Sequence, residues 1–244
     1  MSLFNFKKSR RARKISFIQR KIMQYVHDVY AKDLLLNLEI EAMRESIQYI
    51  KKNMTDSMIH TNWHSLHSHA IEEAKVQGLF LEFGVKKGET IRHIAGMTSS
   101  TVHGFDSFQG LPEDWTGMAI RKGRFSQKGK LPKVPANVML HPGWFNESLP
   151  GFKQKFREPV SYIHIDCDLY SSTKTIFNEL ADRFVPGTVI VFDEYFNYPN
   201  WQQHEYKAFQ EFVTKYGITY QYLGFLSHDS CVAVKITAKN QNAA

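Results

Sequence analysis

Four carboxylates at the ends of two apolar runs have the clearest capacity for chemistry in this 244-residue chain. The segment IHIDCDLYSST places Asp166 and Asp168 after one run, and VFDEYF places Asp193 and Glu194 after another. Strand residues two apart point the same way, so Asp166 and Asp168 can face one site. Such runs are normally buried strands, and four acids at their ends repel and desolvate one another without a cation. All-oxygen ligands favour Mg2+, Ca2+ or Mn2+ over zinc. Acids that merely cap helices are the competing explanation.

Two further constellations suggest a bound cofactor. LEFGVKKGET, residues 81–90, reads as a strand running through a turn into a helix, with Glu82, Gly84 and Gly88 in or near the turn. Small residues there let backbone approach a ligand at the carboxyl end of a strand. Glu82 suits a cationic ligand: it can accept from an amine or orient the loop. The spacing does not match G-x-G-x-x-G, which disfavours a dinucleotide cradle; a tight turn without ligand is the bland alternative. In HGFDSFQGLPEDW, Asp106 follows Gly88 by 18 residues. That is close to the offset at which an acid grips ribose hydroxyls, though Asp106 could also cap a turn.

The elements that must carry these residues change character along the chain. From about 14 to 75 the periodicity is helical: Ile15, Ile18, Ile22, Val26 and Val29 form one stripe, and Leu36, Ile40, Met43, Ile47 and Ile50 another. These predict helices packed on the next domain or on a dimer mate. From 76 onward short apolar runs alternate with amphipathic segments, the pattern of βαβ units. Strands are expected at 79–85, 102–106, 138–141, 161–166, 188–194, 219–225 and 231–236, with helices near 88–97, 172–184 and 204–216. Ser171 or Ser172 is available as an N-cap, and Pro186-Gly187 as a stop. No helix separates the last two strands, so they should pair antiparallel. The stretch 109–137 predicts a mobile loop over a site. The domain reading is a basic arm (1–21), a helical extension acting as lid or dimer contact (22–75), and an α/β domain (76–244).

Composition bounds these readings. The chain is 43% hydrophobic and 23% charged, ordinary for a globular protein. No stretch approaches the roughly 18 consecutive apolar residues of a membrane span, and ISFIQRK is too polar for a secretory signal. Cys167 and Cys231 both sit in strand-like runs, which suits buried reduced thiols in the cytoplasm. The net charge is +7, yet residues 1–21 hold eight Lys and Arg and no acid, leaving −1 for the rest. The basicity belongs to the arm, either a solvated tail or a contact for polyanions.

The motifs LEFGVKKGET, GFDSFQGLPEDW, Gly143-Trp144-Phe145, HIDCDLYSST and VPGTVIVFDEY resemble, in content and order, those of the macrocin O-methyltransferase family. The resemblance covers about 76–215. It implies a Rossmann-like class I methyltransferase with a seven-stranded, mostly parallel sheet and an antiparallel last pairing. It also implies methylation of a sugar hydroxyl from S-adenosylmethionine with a divalent metal, Mg2+ foremost. The metal would be held by Asp166, Asp193 and Glu194, with Asp168 as candidate base. The cofactor would lie against Glu82, Gly84, Gly88, Asp106, Ser107 and Asp166. One departure is Glu194, where many relatives carry aspartate; the longer arm can still ligate. The first 75 residues carry no such resemblance, so the acceptor is known only as a small, sugar-containing molecule.

Other features have plainer readings. His60, His64, His67 and His69 cluster before the α/β region, with 60, 64 and 67 on one helix face, but no cysteine completes a zinc site. A lid or surface helix fits better. His164, two residues before Asp166, is a second candidate base, though a strand histidine is more often a satisfied core residue. Trp144, Phe145, Tyr170, Tyr195, Phe196, Tyr198 and Trp201 include residues able to stack on a sugar and others that are simply core. Two rivals remain: a non-catalytic binder of nucleic acid or membrane surface through the arm, and a nicotinamide oxidoreductase. The first predicts salt-sensitive binding to polyanions that is indifferent to the four acids, with nucleic acid not the expected partner. The strand-end acids and the missing glycine fingerprint argue against the second.

Overall fold

The computed structural model describes residues 10–240, with side chains from Ser16 onward. Lys7, Lys8 and the side chains of the other arm cations before Ser16 lie outside the described residues. The chain forms two compact units, Met1–Glu41 and Ala42–Ala244. The expected boundaries at 21 and 75 therefore give way to one at 41. Within the first unit, helix α1 (Arg10–Lys32) runs straight through the end of the arm. Helix α2 begins at Leu34 and ends at Asn53. Asp33 separates them: its carboxylate accepts from the Leu36 N–H at 3.0 Å and caps α2.

In the second unit, the part of α2 from Ala42 on buries a face different from the one the stripe predicted. Ala42 and Ser46 are buried and Tyr49 and Ile50 half-buried, while Met43 and Ile47 are exposed. Small residues let the helix approach closely. The Ser46 hydroxyl donates to the Ala42 carbonyl at 2.7 Å and accepts from the Asn197 N–H at 2.9 Å.

The second unit is built on an eight-stranded sheet: β1 (Met58–His60), β2 (Leu79–Phe83), β3 (Val102–Asp106), β4 (Val138–Pro142), β5 (Val160–Ile165), β6 (Val189–Phe192), β7 (Ile218–Leu226) and β8 (Val232–Lys239). Their order is β1-β7-β8-β6-β5-β2-β3-β4. β8 alone runs antiparallel, between β6 and β7, as the helix-free link between the last two strands requires. The eighth strand is β1, three residues pairing parallel to β7 and too short to read from sequence.

Helices cover both faces, which explains the unbroken apolar runs. Leu81, Phe83, Ile165 and Phe192 point toward α5 (Phe145–Lys155), α6 (Tyr170–Leu180) and α7 (Glu205–Tyr216). Phe80, Tyr162 and Val191 point toward α3 (Trp63–Glu73) and α4 (Glu89–Met97). α5 was not expected, because Pro150 and Gly151 interrupt its pattern. The cap of α6 is Leu169 and bonds through no side chain, so Ser171 and Ser172 fall inside the first turn. α3 is no lid: Leu66 and Ala70 are fully buried in the second core face. His60 lies in β1 rather than on a helix face with His64 and His67, and its Nε2 meets His69 Nδ1 at 3.2 Å.

The connection 107–137 is pinned rather than mobile. Phe108, Leu111 and Trp115 are buried. Phe108 O accepts from the Gln127 and Gly129 N–H groups at 3.1 and 3.0 Å, while the Leu111 N–H donates to Arg124 O at 3.0 Å and Leu111 O accepts from the Gly123 N–H at 2.9 Å.

Candidate active site

Neighbouring parallel strands end at the same level, so β6, β5, β2 and β3 deliver their following residues to one place. The ladder continues one step past the strands: Asp166 N–H bonds Phe83 O at 2.8 Å, Gly84 N–H bonds Phe105 O at 2.9 Å, and Asp193 N–H bonds Ile165 O at 2.9 Å. A cavity of about 700 Å³ opens there. Gly84, Asp106 and Ser107 line one side, and Asp166, Asp168, Asp193 and Glu194 the other. Trp144, Phe145 and Asn146 from the start of α5 and Lys122 and Phe125 from the pinned loop complete it.

Gly84 is dictated by close approach: its φ is +97°, and a Cβ would sit 1.7 Å from the Asp166 carbonyl oxygen. Gly84→Ala should therefore disrupt the β2–β5 crossing and lower the thermal midpoint on the order of 10 °C; an unchanged melting curve would contradict this contact. Gly88 has another task. It is the left-handed N-cap of α4, packed beside Arg92 and Pro132 and absent from the cavity lining.

Asp106 accepts from two backbone N–H groups, Lys86 and Phe108, each at 2.6 Å. It thus fixes the turns at the mouth of the cleft and keeps further lone pairs for a ligand. Ser107 accepts from the Gln109 N–H at 3.1 Å. Glu82 lies beneath the cavity rather than in its lining. It is 1% exposed, with Oε2 unpartnered and 3.8 Å from His164 Nδ1.

The acids form a tight group. Ligand oxygens of Asp166, Asp168 and Glu194 lie within 4.8 Å of one another, close enough to share one ion, and Glu194 Oε2 is buried without a hydrogen-bond partner. Asp193 stands apart from this trio: its Oδ1 accepts from the Cys231 thiol at 2.9 Å and lies 4.0 Å from His164 Nε2. Burial, reinforced by the charge of Asp193, holds the carboxyls of Asp166 and Glu194 well above the usual range and raises Asp168 to about 7. Asp168 also has a left-handed backbone, φ +63°, a conformation retained at cost where geometry matters. His164 is 1% exposed between Glu82 and Asp193, out of contact with the cavity, so it cannot reach a substrate directly.

Sequence reasoning missed Glu205. The first residue of α7 is fully buried, and its carboxylate accepts from the Glu194 N–H at 3.2 Å and weakly from the Cys167 N–H at 3.5 Å. It clips together the two turns that carry the acids. An acid in the first turn of an amphipathic helix gives no sign of burial. Of the aromatic run, Trp144 and Phe145 line the cavity, whereas Tyr195, Phe196, Tyr198 and Trp201 are core. Tyr170 donates to Glu211 at 2.8 Å. Both cysteines are buried and free.

Comparison with known proteins points to a methyltransferase fold. Residues 81–195 match a family described as a methyltransferase domain. A crystal structure of a calicheamicin methyltransferase superposes with a TM-score of 0.57 at 17% identity, covering 93% of each chain. The O-methyltransferase NovP gives 0.54 at 23% identity over 71% of this chain and 79% of that one. The fold is that of a class I methyltransferase. A sequence relative of Streptomyces olivaceus, 8-demethyl-8-(2,3-dimethoxy-alpha-L-rhamnosyl)-tetracenomycin-C 4'-O-methyltransferase, is 29% identical over 143 residues. That alignment takes in 49% of this chain and spans about half, 54%, of the relative. No described helix is long and apolar enough to cross a membrane.

Proposed function

We propose that the chain is an S-adenosylmethionine-dependent O-methyltransferase that uses a divalent cation to methylate a hydroxyl of a sugar or glycosylated small molecule. The observation that carries this reading is the convergence of Asp166, Asp168 and Glu194 on one cavity whose opposite wall holds Asp106 and Ser107. The sugar class of acceptor rests on the tetracenomycin relative, which by name methylates a rhamnosyl group.

The residues suit both groups. Asp106 and Ser107, which line the cavity with Gly84, would take the ribose hydroxyls and adenosine of the cofactor. Asp166 and Glu194, joined by Asp193 once its carboxylate turns from Cys231, would hold the cation with oxygen donors suited to Mg2+ or Mn2+. When bound, the cation lowers the pKa of a coordinated hydroxyl, and the sulfonium supplies the methyl group. Asp168 would remove the hydroxyl proton, since it lies beside the other acids at the cavity and is not held neutral once a cation offsets burial and the charge of Asp193. Trp144 and Phe145 line the cavity and offer apolar faces for a sugar ring. The rest is positioning of the nucleophile in line with the methyl carbon.

Calorimetric titration with S-adenosylhomocysteine tests the cofactor assignment. One molecule should bind per chain, and Asp106→Ala should weaken it on the order of tenfold or more. Because each Asp106 oxygen also ties a turn, a melting curve of the same variant separates ligand loss from loop loss. A protein that ignores S-adenosylhomocysteine and binds NAD would overturn the assignment.

A further inference from the structure

We propose that α1 is an in-plane anchor for an anionic lipid surface. Ile18, Ile22, Met23, Tyr25, Val26 and Tyr30 are all exposed, from 39% for Val26 to 71% for Tyr25. At 100° per residue these six fall within about half of the helix circumference. Arg20, Lys21 and Lys32 fall outside that arc. Phe17 also lies outside it, with Lys21 Nζ 5.9 Å from its ring. The α1 sequence holds seven Lys and Arg against one acid, Asp28.

A strong apolar face combined with low overall hydrophobicity and flanking cations is the composition of a helix that lies in the headgroup region. At 23 residues it is roughly 35 Å long, and it is too polar to span. Two other occupants fit less well. A second copy of α1 would cover the stripe but set two strongly basic helices side by side. Nucleic acid would satisfy the cations but leave the stripe in water. An anionic bilayer satisfies both, since acidic headgroups meet Arg and Lys while the stripe enters the acyl boundary. Lys7 and Lys8, just before α1 in the sequence, add to the same positive charge.

The test uses the full chain and flotation with phosphatidylcholine vesicles, with and without phosphatidylglycerol. Binding is expected only to the anionic vesicles, to weaken with salt, and to fall on the order of tenfold or more in Ile22→Asp and separately in Lys21→Glu. S-adenosylhomocysteine affinity and the melting curve serve as folding controls, independent of the anchor. No binding to anionic vesicles overturns the proposal. Retained binding in Ile22→Asp overturns it in favour of a purely electrostatic arm. A dimer in sedimentation velocity without lipid that Ile22→Asp splits overturns it in favour of a second copy.

Discussion

Asp168→Asn should lower turnover on the order of 100- to 10,000-fold while leaving cation affinity close to that of the unsubstituted chain. Its proposed work is proton removal, and asparagine keeps the shape while losing the base. Asp166→Asn, Asp193→Asn and Glu194→Gln should instead lose cation affinity and turnover together, because each would remove a charged ligand. The geometry makes this comparison demanding. Asp168 is as near to Asp166 and Glu194 as a ligand would be, whereas Asp193 is turned toward Cys231 and His164. Binding of Mn2+ measured by calorimetry, alongside methyl transfer, separates the roles. If Asp168→Asn loses the cation and Asp193→Asn retains it, the two residues exchange places. Full turnover in excess chelator would remove the cation from the mechanism.

In chelator, the protein should become less stable as pH rises from about 5 to 8, on the order of 10 °C in thermal midpoint. Asp168 is raised to about 7 by burial and the charge of Asp193, and the same causes raise Asp166 and Glu194. A carboxyl that holds its proton more tightly folded than unfolded gives greatest stability at low pH. That stability is lost between the unfolded value, near 4, and the folded one. Asp168→Asn lacks one such proton, so it should melt above the unsubstituted chain at pH 8, with the gap closing toward pH 5. Mg2+ should flatten the profile of the unsubstituted chain, since a cation replaces the missing protons. Parallel pH profiles for the two proteins would refute the burial of Asp168 as the cause.

The sheet was legible because both faces are covered, so strands appear as unbroken apolar runs such as VIVF and end where acids and glycines begin. Asp166, Asp168, Asp193 and Glu194 were legible for the same reason: charge at the end of a buried strand is conspicuous. β1 was hidden by its length, and α5 by Pro150. The face of α2 was misjudged because Ala42 and Ser46, which permit close approach, carry less hydrophobic signal than Met43 and Ile47, which stay exposed. His60 seemed to share a helix with His64 because a three-residue strand leaves no periodicity. Glu205 was invisible because its role comes from two backbone N–H groups supplied by residues 38 and 11 positions earlier.

Glu205 also restricts how this protein can vary in length. The segment from Glu194 to Glu205 closes on itself: its start donates to the carboxylate at its end. Between them, Tyr195 and Trp201 are packed into the core and Asn197 is tied to Ser46. A one-residue insertion or deletion here would rotate α7 by about 100° relative to the acid-bearing turns. Glu205 would then point elsewhere, and Phe209 and Phe212 would leave the core with it. The loop 107–137 is less constrained at the exposed Leu131, which lies outside the backbone bonds that pin Phe108 and Leu111. Changes in chain length between descendants of this fold should therefore gather in that loop and avoid 195–204.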